Sequence, residues 1–314
     1  MTTSEKNQSL ITGIFTILLT VFAMALTDAF VKFSSADMTL WQIYVCRSVL
    51  ALPVLVLLAN GHFWPKAVGW VTLRSFVLVA MYLAIYAAIP LLDLSVVAAA
   101  LYTGPLFIVI LSAILLREPI TPMQWIAVVL GFIGVLFVVR PNGADFTMLS
   151  LIPVIAAFLY AVAAVLTRAK CQDERPAALA ISLNISLVVV GALVSFWLRI
   201  SPSGYVERYP FLFAQWSSFS VQTLGILVVM AILIVGVSIG LAKAYQSPRP
   251  QVIATFDYAY LIFAAFWGFV FFGEKPQLWT MIGIALIIVA GVLVVIAGKD
   301  VVRAKLDKLP ACGI

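Results

Sequence analysis

Charged side chains inside long apolar runs are the residues of this sequence best suited to do chemistry. Asp28 and Lys32 stand four apart in the run from Leu10 to Phe33, so on a helix they share a face. Arg47 falls in the middle of the run over 39–59. Asp257, followed by Tyr258, lies about two turns into the run over 251–272. An ionised group in hydrocarbon costs about 2.5 kcal/mol or more, so each of these needs a reason. One reason is function: Asp28 and Asp257 bind an amine or a proton, and Arg47 clamps a carboxylate through two N–H groups. The other is structural. Asp28 then pairs with Lys32, which snorkels to the headgroups; Arg47 is held by backbone carbonyls or a carboxylate; and Lys243 neutralises Asp257.

Aromatic and amide groups extend the set. Tyr82 and Tyr86 share a face at spacing four, and Tyr102, Tyr160 and Trp267 stand in other apolar runs. Ring faces attract cations, so these five, with Tyr258, are candidates to line a substrate cavity; each could also pack against lipid or another helix. Asn184 must find a partner in hydrocarbon, and a bond between helices answers that need. Glu118 and Glu274 each end an apolar run. Together with Lys32, Lys243 and Asn184 they form a gating or structural group, in which the glutamates cap the helix that follows them. Gly131, Gly134, Gly283 and Gly291 permit close backbone approach, for packing within the chain rather than a dimer seam.

Other chemistries lack their residues. The single histidine, His62, sits in a loop. No His-Glu-x-x-His or phosphate-binding glycine loop occurs, so no catalytic residue, metal or cofactor is expected, and no enzyme. Cys46, Cys171 and Cys312 offer no Cys-x-x-Cys spacing, hence neither a disulfide framework nor a zinc site.

The elements that must hold these residues are membrane helices. Of the 314 residues 64% are hydrophobic and 10% charged, and the mean hydropathy is +1.15. A soluble domain is charged at roughly a quarter of its positions, so lipid is the solvent here. Apolar runs near 10–33, 39–59, 70–90, 95–116, 123–140, 148–168, 177–198, 222–245, 251–272 and 279–297 predict ten spanning helices. Turn residues separate them, as at Asn60-Gly61, Pro119, Pro141-Asn142-Gly143, Pro202, Pro248 and Pro250. The long aromatic connection over 199–221 is expected to lie partly in the interface. With the N-terminus in the cytoplasm, only Lys32, Arg140, Arg199, Arg208 and Lys275 among the loop and end cations fall outside. That bias puts both termini inside. The net charge of +6 is spread over short loops and a tail, so nucleic acid is not an expected partner.

The sequence also repeats. At a shift of 156 residues Val96 meets Val252, Ala98 meets Ala254, Tyr102 meets Tyr258, Phe107 meets Phe263 and Glu118 meets Glu274. One further residue of slip brings Gly134-Val135-Leu136 onto Gly291-Val292-Leu293, and Lys32 meets Lys170 at a shift of 138. Five spans per half is an odd number, so the halves enter the membrane in opposite senses. The expected organisation is a first five-helix repeat over 1–145, a second over 146–298 and a basic cytoplasmic tail over 299–314.

The stretch from Pro90-Leu91-Leu92 through Pro105-Leu106-Phe107, Leu116-Arg117-Glu118, Trp125 and Gly131-Phe132-Ile133-Gly134-Val135 to Arg140-Pro141 resembles the EamA family of the drug/metabolite transporter superfamily. Phe256-Asp257-Tyr258 through Phe272-Gly273-Glu274 and Gly291-Val292-Leu293 resembles its second repeat. Asp28 with Lys32, Arg47 and Phe256-Asp257-Tyr258 are more like the branch related to S-adenosylmethionine uptake proteins than like aromatic amino-acid exporters. The resemblance implies ten helices in two inverted halves, a central cavity and no ATP. Leu261 stands where the first copy has Pro105, which puts the second copy's helix kink in question. The expectation is an all-α bacterial inner-membrane protein, a monomer or homodimer. It moves a small zwitterionic or cationic metabolite, such as an amino acid or amine derivative, by alternating access. A nucleoside, vitamin or drug-like substrate, or a channel or scramblase, is the alternative.

Overall fold

The structure, a computed structural model, describes residues 3–61, 63–117, 121–139, 148–245 and 256–306. Among these every regular element is helical. The reason is solvation: in hydrocarbon a backbone N–H or C=O must find its partner within the chain, and a helix satisfies each segment locally.

The first half contains α1 (Thr3–Ser34), α2 (Leu40–Leu58), α3 (Val68–Ala88), α4 (Leu94–Leu101), α5 (Gly104–Leu115) and α6 (Pro122–Val139). A 3₁₀ turn, Met148–Leu151, leads into α7 (Ile152–Lys170). Then come α8 (Pro176–Ile200), the short α9 (Pro210–Phe213), α10 (Val221–Tyr245), α11 (Ala259–Phe272) and α12 (Leu278–Leu306). Starts follow sequence signals. Thr39 accepts the Gln42 amide as the N-cap of α2, and α5, α7 and α8 carry proline in their first turn, where no amide is needed. Seven segments are long and apolar enough to cross a membrane, and Pro122–Val138, Ala259–Phe272 and Leu278–Val294 are shorter apolar helices. Large side chains such as Leu57, Phe196 and Ile232 face outward, as lipid-facing residues must.

The helices pair across the chain: α1 with α10 and α11, α7 with α3 and with α4 and α5, α2 with α8, and α6 with α12. In the last pair the backbones nearly touch. A Cβ on Gly134 would meet the Gly283 carbonyl oxygen at 2.9 Å, and one on Gly283 would meet that of Gly134 at 2.6 Å. These two glycines therefore serve packing within the chain.

The run over 95–116 is two helices, not one. It breaks at Tyr102–Thr103, where the Thr103 amide and hydroxyl both turn back to the Ala100 carbonyl. The second copy breaks at the matching place. Phe256 and Asp257 are helical, Tyr258 is a turn, and the Leu261 amide bonds Tyr258 three residues back. Leu261 in place of proline does not remove the break. The connection over 199–221 is tied to the bundle: Trp41 donates to the Leu212 carbonyl, Gln42 bonds Ser217, and Trp216 donates to Ser195. Glu118, His62, Arg140 and the proline turns at 248 and 250 lie outside the described residues, as do the side chains of Lys243 and of the basic tail.

Candidate functional site

The two helix breaks bring the intramembrane tyrosines together. Tyr102 and Tyr258 contact edge to face, with ring centroids 5.4 Å apart, and Tyr102 stacks on Tyr260 at 5.0 Å. Because the Leu261 amide turns to Tyr258, the Asp257 carbonyl loses its usual helical donor. The Tyr102 hydroxyl, from the other break, donates to it at 3.2 Å. A broken helix in lipid needs such replacement partners.

Tyr260 also fixes Asp28. Its hydroxyl donates to Asp28 Oδ2 at 2.5 Å, a charge-assisted contact that joins α1 to α11. The Asp28–Lys32 pair is therefore not formed. Lys32 instead donates to Glu274 Oε1 at 2.5 Å and to the Leu92 carbonyl at 2.6 Å, and it does not snorkel to the headgroups. Glu274 does not cap the helix that follows it. Its Oε2 accepts the Leu94 amide at 2.8 Å, at the start of α4 in the other half.

Arg47 is 1% exposed on α2. Among the described residues it is held neither by backbone carbonyls nor by a direct carboxylate bond: Nη1 donates to the Tyr86 hydroxyl at 3.3 Å, and the Tyr86 ring lies 5.8 Å from the guanidinium. Asp28 lies within electrostatic reach of Arg47, Tyr82 and Tyr86. Tyr82 and Tyr86, read as one face, have centroids 5.6 Å apart, and Tyr44 joins them at 6.1 Å from Tyr86. Among the described residues, Arg47 Nε, the Tyr44 hydroxyl and the Ser48 hydroxyl are buried here without a hydrogen-bond partner.

Tyr160 on α7 closes the set. A Cβ on Gly104 would meet its ring at 2.9 Å, which seats it beside the α4–α5 break, within reach of Asp257, Tyr82 and Arg74. The structure thus gathers Asp28, Arg47, Tyr82, Tyr86, Tyr102, Asp257 and Tyr258 in one interior, with Tyr160, 43% exposed, at its margin. Trp267 packs at its edge, against Phe22, Phe266 and Phe271, with its indole N–H 3.4 Å from the Phe22 carbonyl. Asn184 bonds the Ala180 carbonyl of its own helix rather than another helix. Sequence reasoning missed Tyr260, Tyr44 and Arg74. Tyr260 carried a usable signal, three residues after Asp257 in the same apolar run. Arg74 stands two turns into α3, and its Nε donates to the Thr167 hydroxyl at 2.7 Å.

An apolar helical bundle with a carboxylate and a guanidinium bonded to phenols inside it is an integral membrane protein. Residues 11–140 match the EamA-like transporter family, the family that the first repeat resembles. A riboflavin transporter of Brucella anthropi is 28% identical over 81% of this chain and 85% of its own length. An S-adenosylmethionine uptake transporter of Rickettsia bellii is 24% identical over 65% of each chain. A solved crystal structure of 18% identity shares the fold with a TM-score of 0.60, over 94% of this chain and 99% of that one. These relatives are named as transporters, not as enzymes.

Proposed function

We propose that this chain is a secondary carrier that moves a small zwitterionic or cationic metabolite by alternating access. Its ten spans form two inverted five-helix repeats, 1–145 and 146–298, in a bacterial inner membrane, with both termini cytoplasmic. The observation that carries this reading is Asp28, a carboxylate deep in α1, half-buried among tyrosines and within reach of Arg47. A carboxylate and a guanidinium in one aromatic interior match the two ends of an amino-acid derivative such as S-adenosylmethionine, and tyrosine faces suit its cation. The inverted repeat is supported by exchanged pairing. The first span meets the eighth as the sixth meets the third, and the first meets the ninth as the sixth meets the fourth. Inverted halves of this kind rock about a central site.

A second reading, a vitamin such as riboflavin, is favoured by one observation. Asp28 and Arg47 are already bonded to Tyr260 and Tyr86, which leaves aromatic faces as the freest contacts for a planar ring. Counterflow into liposomes tests both. Labelled S-adenosylmethionine, amino acids, polyamines and riboflavin are each offered against an unlabelled internal pool. Saturable uptake of a zwitterion or amine, lost in Asp28→Asn, supports the first reading. Uptake of riboflavin alone supports the second, and unsaturable flux with no counterflow overturns the carrier.

A further inference from the structure

Three helix ends meet where α4 begins. Lys32 comes from the end of α1, and Glu274 from the residue after the turn that closes α11. Between them lie the Leu92 carbonyl and the Leu94 amide, the two backbone groups at the mouth of α4. The Asp93 side chain makes no cap there, so this helix start is completed by side chains from elsewhere, one of them from the other half of the chain. The ion pair is nearly enclosed: the Lys32 and Glu274 side chains are 13% and 9% exposed, and the ammonium also lies over the Phe272 ring. Room for the carboxylate is provided by Gly268, where a Cβ would stand 2.5 Å from Glu274 Oε2.

What this cluster holds is unusual in being short. α4 has eight residues, Leu94–Leu101, and its far end is the break at Tyr102–Thr103. It is a half-helix hinged at one end and clasped at the other. It also packs against α7, α6 and α11, the elements that surround the tyrosine interior. A rigid segment bounded by a hinge and a polar clasp moves as a unit when the clasp opens.

We propose that the Lys32–Glu274 pair is a latch on the half-helix Leu94–Leu101. Its release lets that segment swing about Tyr102–Thr103 and opens this end of the bundle to substrate. The proposal rests on the carrier reading above, in which this is the outer end. In the present structure the latch is closed. Each transport cycle must open it once.

Two experiments test the latch, in a chain whose three native cysteines are serine. The first reads movement without any substrate. Ser95 is buried one residue inside α4, and Ser95→Cys reports opening by its rate of reaction with a membrane-impermeant maleimide. Glu274→Gln removes the charge, and Gly268→Ala keeps it but displaces the carboxylate from Leu94. Both are expected to speed labelling at least fivefold, and equal rates in all three backgrounds would overturn the latch. The second reads necessity. Ala36→Cys and Asp93→Cys, both exposed on the two sides of the cluster, are joined by a bis-methanethiosulfonate that dithiothreitol cleaves. Counterflow should fall below a tenth and return on reduction. Full counterflow with the link in place means that the cluster is a static cap and the latch is wrong. No counterflow even before linking counts against the carrier reading, and the maleimide rates still decide the latch.

Discussion

The two broken helices make the same shape from different residues. In the first, Pro105 follows the break and the second half gives way to Arg117, a non-glycine residue at φ 55°. In the second, leucine replaces the proline, and the end falls on Gly273 at φ 67°. Gly273 closes an αL turn: its own amide reaches back to Phe269, and the Glu274 amide to Gly268. Arg117 holds the same left-handed conformation at a steric cost that glycine avoids. Tertiary contacts therefore set these shapes, and local sequence preference only eases them. At the breaks the decisive contact is Tyr102, whose hydroxyl serves the freed carbonyl of the opposite helix.

The sharpest way to break this symmetry is at the tyrosines. Tyr102→Phe removes the hydroxyl that donates to the Asp257 carbonyl in an apolar interior, at a cost of about 1–3 kcal/mol. The maximum counterflow rate should fall on the order of tenfold. Tyr258→Phe, whose ring end packs against Gly291, should change it by no more than about twofold. If both variants behave alike, the crosswise capping does not hold the breaks. A smaller effect is expected at the helix ends. Gly273→Ala should lose about 1–2 kcal/mol of stability, and Arg117→Gly should gain about 0.5 kcal/mol. Thermal unfolding in detergent reads both, and shifts of the same sign would contradict the matched geometry. The smallest belongs to the proline. Pro105→Leu makes the first copy like the second, so its stability should stay within about 0.5 kcal/mol and the break should persist.

Much of this is legible in the amino-acid sequence. The apolar runs located the helices, because in lipid length and hydropathy leave few other choices. Repeated Tyr102 and Tyr258 pointed to the interior, and the charges at 28, 47 and 257 marked it. The partners were not legible. Spacing of four suggested Asp28 with Lys32, yet their side chains diverge, one to Tyr260 and the other to Glu274. Local periodicity reports which residues share a face but not which distant helix that face meets. Glu274 shows the same limit: its charge suits a helix N-terminus, and the helix it serves begins 180 positions earlier in the chain. Asn184 failed in the opposite direction. A buried amide was expected to reach across helices and found a carbonyl one turn below it.

The close crossing of α6 and α12 carries a consequence for synthesis. Gly134 leaves the ribosome about 150 residues before Gly283, and at about 5–20 residues per second the interval is on the order of ten to thirty seconds. Through that time the first half sits in the bilayer with its glycine notch facing acyl chains. The notch accepts lipid because it exposes no polar side chain, and the last helix to arrive displaces that lipid. The contact that brings the two backbones closest is thus the last to form, and until it forms the nascent chain is a half-built bundle held by its earlier helices alone.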